Sequence, residues 1–194
     1  MSSARLFQVI IVSMLTFRVL GQTNNETPQA KYSHEKFKTA TWGIATNGIQ
    51  FGACVSAISP STIAQLRIFT FLNNANSTTT YGLWKLPQGY RFETLTLKSK
   101  EGEEMERTRK GDALCKSPLL FLSDGETVVL DPGVPQDYDE QFSLRDCFKI
   151  KKAGVYILTV KARLYSMKSY NTFLKLDIPE TRLEFVLHAS ELEE

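Results

Sequence analysis

Cysteine and histidine are the residue types here whose chemistry could support nucleophilic catalysis or zinc binding. The chain has three cysteines, Cys54, Cys115 and Cys147, and two histidines, His34 and His188, near its two ends. A catalytic thiolate needs an imidazole in direct contact with it, and a zinc ion needs about four ligands of these types. The spacing favours neither site. We predict instead that Cys54, inside an apolar run, is a small buried side chain.

The same cysteines predict a covalent crosslink if the chain folds in an oxidising compartment. Three cysteines there give one disulfide and one remaining thiol. We expect the bond between Cys115 and Cys147, because both flank loops, and the two other pairings stay open. A bond of this kind would stabilise the fold by roughly 3 kcal/mol.

Carboxylates are concentrated in residues 131–141, where they could offer oxygen ligands to Ca²⁺. They are Asp131, Asp137, Asp139 and Glu140. Their spacing is not that of an EF-hand, and we predict a solvated loop without a metal. The sequence also has no nucleophile elbow, H-E-x-x-H, phosphate-binding loop or dinucleotide fingerprint. We therefore predict no catalytic, metal or cofactor-binding residues and no enzymatic activity.

Two further groups of residues could form binding surfaces. Residues 99–111 mix acidic and basic side chains, which predicts an exposed charged hairpin. The aromatic residues could form a face for carbohydrate or peptide, although we expect core or cross-strand packing for them. They are Trp42, Trp84, Tyr81 and Tyr90.

The elements that must position these residues are predicted to be strands. Tyr156–Tyr165 alternates strictly, with one apolar face and one mixed face, as a half-buried antiparallel strand does. The apolar face consists of Tyr156, Leu158, Val160, Ala162 and Leu164. Other strands are predicted at 49–58, 63–72, 81–86, 90–98, 126–130, 174–178 and 183–187. Seven to nine short strands of this kind indicate a sandwich or a barrel.

Three stretches carry a family resemblance: residues 63–76, 90–109 and 142–164 (FSLRDCFKIKKAGVYILTVKARL). In the third, a lysine-rich turn and a Gly-x-Tyr step lead into the alternating strand. The pattern resembles the immunoglobulin-like sandwich domains of bacterial exported proteins, including those similar to a small bacterial proteinase inhibitor. It implies an all-β, immunoglobulin-like antiparallel sandwich over residues 39–188. Tyr156 would then be a structural tyrosine whose hydroxyl ties back to the preceding loop.

The resemblance has limits that affect function. Antibody domains carry a Cys…Trp…Cys signature, and Leu158 stands where the second cysteine would fall. No inhibitory loop is matched, so no inhibitory residues can be assigned.

The N-terminus has the pattern of a secretory signal. Residues 1–5 form a basic n-region and residues 6–17 an apolar stretch of 12 residues, and cleavage is predicted between Gly21 and Gln22. An uncleaved anchor or a buried N-terminal helix is the alternative. Residues 22–38 are predicted to be a flexible polar lead and 189–194 a C-terminal tail. Two sequons, at Asn25 and Asn76, would be glycosylation acceptors in a eukaryotic host.

Export and charge together restrict the partners. Removing the signal with Arg5 and Arg18 lowers the net charge from +2 to zero, so nucleic acid is not an expected partner. No second apolar stretch has spanning length, so we expect a secreted or periplasmic protein without stable membrane insertion after signal removal. The predicted function is non-enzymatic recognition of an unidentified protein, or an envelope accessory role. The contacts would come from loops 73–80, 99–111 and 131–141 or from an edge strand. The alternatives are a proteinase inhibitor that presents a loop and, after it, a small hydrolase.

Overall fold

The computed structural model describes residues 36–57, 66–85, 92–116, 126–169 and 172–192. Every strand pair in these ranges is antiparallel, which confirms the all-β prediction. The strands are β1 (Thr41–Trp42), β2 (Ile49–Ala57), β3 (Leu66–Asn74), β4 (Tyr81–Lys85), β5 (Phe92–Ser99), β6 (Glu126–Leu130), β7 (Gln136–Ser143), β8 (Gly154–Ala162), β9 (Leu164–Ser169), β10 (Thr172–Leu176) and β11 (Thr181–Leu187). The short helices are α1 (Arg109–Leu114), α2 (Leu144–Cys147) and a 3₁₀ turn (Ala189–Glu191). The predicted signal at 1–21, its cleavage site at Gly21 and Gln22, and residues Asn25, His34 and Tyr90 lie outside the described ranges.

The strands form three sheets. The first sheet has the order β1-β2-β3-β7, the second sheet β11-β8-β5, and the third sheet β10-β9-β4-β6. The first two sheets share one core, because Phe92 of β5 meets Tyr138 and Phe142 of β7 at ring-centroid distances of 5.9 and 5.6 Å. Packing of this kind buries the apolar face that each sheet would otherwise expose.

The predicted apolar face of 156–165 is confirmed residue by residue. Tyr156 is 3% exposed, and Leu158, Val160, Ala162 and Leu164 are fully buried. The strand is nevertheless interrupted at Arg163, where β8 ends and β9 begins in a different sheet. This break is one reason why the described residues contain eleven strands rather than seven to nine.

A second reason is β7, which lies where we predicted a solvated loop at 131–141. From Gln136 onward that prediction is wrong: the chain pairs with β3 from Leu72 to Arg67. Tyr138, fully buried, and Phe142, 7% exposed, provide the apolar anchors. Two register irregularities in the pairing and the surrounding acidic residues hide the strand period in the sequence.

Residues just outside both predicted ends of the domain make packing contacts. Residues 36–39 are helical, and Phe37 packs edge-on against Phe71 with ring centroids 4.7 Å apart. The last residues of the predicted flexible lead are thus part of the packed domain. At the other end, Leu192, within the predicted C-terminal tail, packs against the core.

A charged link joins the second and third sheets. Glu93 is the extra residue where the pairing of β5 with β8 shifts register. Its carboxylate oxygens lie 3.2 Å from the Lys161 ammonium nitrogen of β8 and 2.6 Å from the Lys175 ammonium nitrogen of β10. Lys161 also binds Asp177, which follows β10, at 2.8 Å. The Glu93 side chain is only 14% exposed, so removing either lysine partner would leave a largely buried charge with less compensation.

Candidate functional site

The four aromatic residues considered for a single binding face lie in different places. Trp42 lies over Gly52 in the first sheet. Trp84 packs against Phe173 in the third sheet, with ring centroids 5.2 Å apart. Tyr81 accepts a hydrogen bond from the Asn76 side chain at 3.4 Å, and Tyr90 is outside the described residues. The structure therefore does not bring them together into one face.

The candidate metal ligands lie on two segments, the turn before β7 and β7 itself. Asp131 accepts a hydrogen bond from the Thr80 hydroxyl at 3.4 Å, whereas Asp137, Asp139 and Glu140 belong to β7. Within the ranges that the structure describes, no group of three or more His, Cys, Asp or Glu side chains is arranged to hold a metal ion.

The three cysteines, all within the described residues, are free thiols, so the expected Cys115–Cys147 bond is not formed. Burial raises the pKa of the Cys54 and Cys115 thiols, and it raises the pKa of Cys147 to about 12, with Asp146 adding to the effect. A thiol must ionise before it reacts, so these side chains are poorly suited to oxidation or nucleophilic attack. His188 is exposed at the start of the 3₁₀ turn.

A groove of about 640 Å³ lies beside the end of β5 and the start of β8. One of its sides is the hairpin that follows β5. The hairpin is closed by the Ser99 amide donating to the Glu103 carbonyl at 2.8 Å, and Gly102 occupies the turn with a φ of +93°, which glycine adopts without strain. This is the first half of the charged hairpin predicted at 99–111. The prediction is wrong at its other end, because residues 109–111 belong to α1, which the Thr108 side chain caps.

The other side of the groove is the lysine-rich turn before β8. Tyr156 holds this turn in place, because its hydroxyl donates to the Lys152 carbonyl at 2.7 Å. A tyrosine corner makes this kind of contact with a preceding loop. The Lys100 amide donates to the Val155 carbonyl at 2.9 Å, which ties the hairpin to the same turn.

Opposite charges line the two sides of this charged groove. The acidic side consists of Glu101, Glu103, Glu104 and Glu106, and the basic side of Lys149, Lys151 and Lys152. Lys149 and Glu106 form an ion pair at 2.5 Å, and Glu104 pairs with Lys98 at 3.3 Å. Glu103, Lys151 and Lys152 form no ion pair with any described residue.

Two side chains of the groove, Glu101 and Tyr156, have shifted pKa values. Its own backbone amide lowers the pKa of the Glu101 carboxyl, so the carboxyl is ionised at neutral pH. Burial raises the pKa of the Tyr156 hydroxyl, with Glu103 and Glu101 adding to the effect. The hydroxyl therefore stays protonated and keeps donating to Lys152.

The sequence predicted an exposed hairpin of mixed charge but not the basic turn that faces it. In the sequence these lysines indicate only a turn before the alternating strand, within residues 148–152. Their position opposite the hairpin depends on the pairing of β5 with β8, which brings segments far apart in the sequence side by side. The one feature of the sequence that could have indicated this contact is the excess of glutamates in the hairpin and of lysines in the turn before β8.

Among the residues that the structure describes, no helix combines the length and the apolar character needed to cross a bilayer. Comparison with known proteins gives no relative: no family model, no curated protein and no solved structure matches the chain.

Proposed function

We propose that this chain is a non-enzymatic, exported, immunoglobulin-like domain that recognises a protein partner through the charged groove. Three features support this proposal: the antiparallel sheets that share a core, the contact between Tyr156 and the Lys152 carbonyl, and the N-terminal export pattern. In such domains, the loops at one end of the sheets commonly form the binding surface.

The proposal rests on one observation: the two sides of the groove carry opposite charges, and some of these charged side chains form no ion pair. Lys151 and Lys152 line the groove on one side and Glu103 on the other, and none of them forms an ion pair with a described residue. A partner that carries charges of both signs would pair with both sides, which a purely cationic or anionic partner would not. The volume of about 640 Å³ is within the range of about 300–1,000 Å³ for ligand sites. An extended polypeptide segment with acidic and basic side chains fits this chemistry.

The test uses fluorescent peptides of alternating Lys and Glu, of Lys alone and of Glu alone, with binding measured by anisotropy at low and high salt. We expect the mixed peptide to bind at least about tenfold more tightly than either homopolymer, with an affinity that falls as salt screens the charges. Equal binding of a homopolymer would contradict the proposal.

Charge reversal locates the binding in the groove. The double variant Lys151→Glu and Lys152→Glu should lose binding of the mixed peptide, because both sides then repel its acidic groups. Adding Glu101→Lys and Glu103→Lys exchanges two charges between the sides, so that the groove again carries both signs, and should restore binding. The matched control, Arg109→Glu with Arg182→Glu, changes the charge equally at exposed positions outside the groove lining and should bind normally. Loss of binding in this control as well would indicate a nonspecific charge effect.

A further inference from the structure

The charged groove is also lined by a methionine that takes no part in charge pairing. Met105 lies in the hairpin between Glu104 and Glu106, which are both exposed. Its own side chain is partly buried and packs against the hydrophobic core. The part that remains accessible is an apolar surface within an otherwise charged lining.

Strand register places Met105 on the core face of the second sheet. The Met105 amide donates to the Leu97 carbonyl at 2.8 Å, and the neighbouring pair, Lys98 with Glu104, forms an antiparallel bridge. Met105 therefore lies opposite Leu97, and opposite residues present their side chains on the same face. Leu97 is fully buried and pairs with Leu158, which is also fully buried. Met105 thus ends a row of core side chains at the groove.

The turn on the other side of the groove contributes a second apolar side chain. Ala153 follows directly after the two free lysines, lines the groove and is exposed. The side chains of Met105 and Ala153 offer no strong hydrogen-bond partner. A polar group of the partner placed against them would lose water without compensation, whereas an apolar group there would be favourably removed from water.

We infer, on the basis of the proposed function, that the charged groove selects a polypeptide segment in which an aliphatic side chain lies between an acidic and a basic one. The basic side chain of the segment pairs with Glu103, the acidic one with Lys151 or Lys152, and the aliphatic one packs on Met105. Methionine is flexible and polarizable, so it adapts to aliphatic side chains of different shape. A segment with charges alone would leave Met105 uncovered, and a purely apolar segment would leave the charges unpaired.

The first test compares two fluorescent peptides on the wild-type protein by anisotropy. Both are the alternating Lys and Glu peptide, with either one Leu or one Ser placed at the centre between a Lys and a Glu. We expect the Leu peptide to bind at least about tenfold more tightly, because its side chain leaves water on binding. Higher salt should weaken both peptides and leave their ratio unchanged, since screening acts on charges. If neither peptide binds, the proposed function fails together with this inference. If both bind equally well, the proposed function is retained and the inference alone is overturned.

The second test locates the apolar contact at Met105. Met105→Gln keeps the length of the side chain and adds a carboxamide, so it should bind the Leu peptide about tenfold more weakly than the wild type and the Ser peptide as before. Met105→Leu remains apolar and should keep the preference for the Leu peptide. The matched control, Val129→Gln, changes an exposed apolar side chain of the third sheet outside the groove lining and should also keep it. Unfolding midpoints show that the variants are folded, and the wild-type comparison requires none of them. An unchanged preference in folded Met105→Gln would overturn the inference.

Discussion

Cys147 shows how burial fixes the chemistry of a single residue. Its thiol is 1% exposed, and its pKa is raised from 9.0 to about 12. In the unfolded chain the thiol ionises near pH 9, whereas in the folded chain it stays protonated. Above pH 9 the unfolded state therefore holds fewer protons, and stability falls as the pH rises.

This gives a prediction for the Cys147→Ala variant. Between pH 9 and 11 the wild-type free energy of unfolding should fall by up to about 1.4 kcal/mol per pH unit from this thiol alone. The variant, although less stable at pH 7, should show a flatter dependence on pH over the same interval. Urea unfolding at pH 7, 9, 10 and 11 measures both curves. Parallel curves would show that Cys147 does not have a raised pKa.

Gly111 lies where the chain has no room for a side chain. A Cβ added there would lie 2.2 Å from the Cys147 carbonyl oxygen, so Gly111 allows α1 and α2 to touch. We expect Gly111→Ala to destabilise the fold by about 1–3 kcal/mol, because backbone must move to relieve the clash. Gly82→Ala is the matched control, since nothing lies within 4 Å of its added Cβ, and it should change stability by less than about 0.5 kcal/mol. Thermal unfolding compares them, and equal midpoints would contradict the predicted clash.

At the scale of elements, β8 links the core to the charged groove. Its alternating residues fill the core, while Tyr156 at its start holds the lysine-rich turn through the Lys152 carbonyl. One hydrogen bond, from the Tyr156 hydroxyl, thus connects the buried strand to the surface turn.

Removing that hydroxyl should loosen the turn without damaging the strand. We expect Tyr156→Phe to lower the free energy of unfolding by about 1 kcal/mol, the typical net contribution of one hydrogen bond. Hydrogen exchange should accelerate at residues 149–153 and remain slow in the middle of β8. Uniform acceleration along β8 would indicate that the hydroxyl stabilises the strand rather than the turn.

At the scale of the whole molecule, export remains a prediction from the N-terminal sequence. We expect expression with a secretion machinery to yield a chain that begins at Gln22, because the short apolar stretch ends before Arg18 and a small residue, Gly21, precedes the cleavage site. Intact mass and N-terminal sequencing of the exported protein measure this. A protein that retains Met1 would contradict the cleavage site and the proposed location.

The sequence predicted most strands because their apolar residues alternate with a period of two. Residues 126–130 form β6 within the predicted bounds, and the core face of β8 is as expected. It did not predict β7, whose apolar anchors Tyr138 and Phe142 are separated by acidic residues and whose pairing is irregular. Nor did it predict that Arg163 divides one long alternating run between two sheets.

The sequence by itself determined the all-β class, the residues that face the core in the clearest strand, and a charged hairpin in the first half of residues 99–111. These properties depend on local patterns, namely side-chain alternation and turn residues, which neighbouring positions express directly. The tertiary structure alone decided which loop faces the hairpin and which glycine lies beneath Trp42. It also decided that the three thiols, all within the described residues, stay free. These features depend on contacts between distant segments, and only the pairing of the strands brings those segments together.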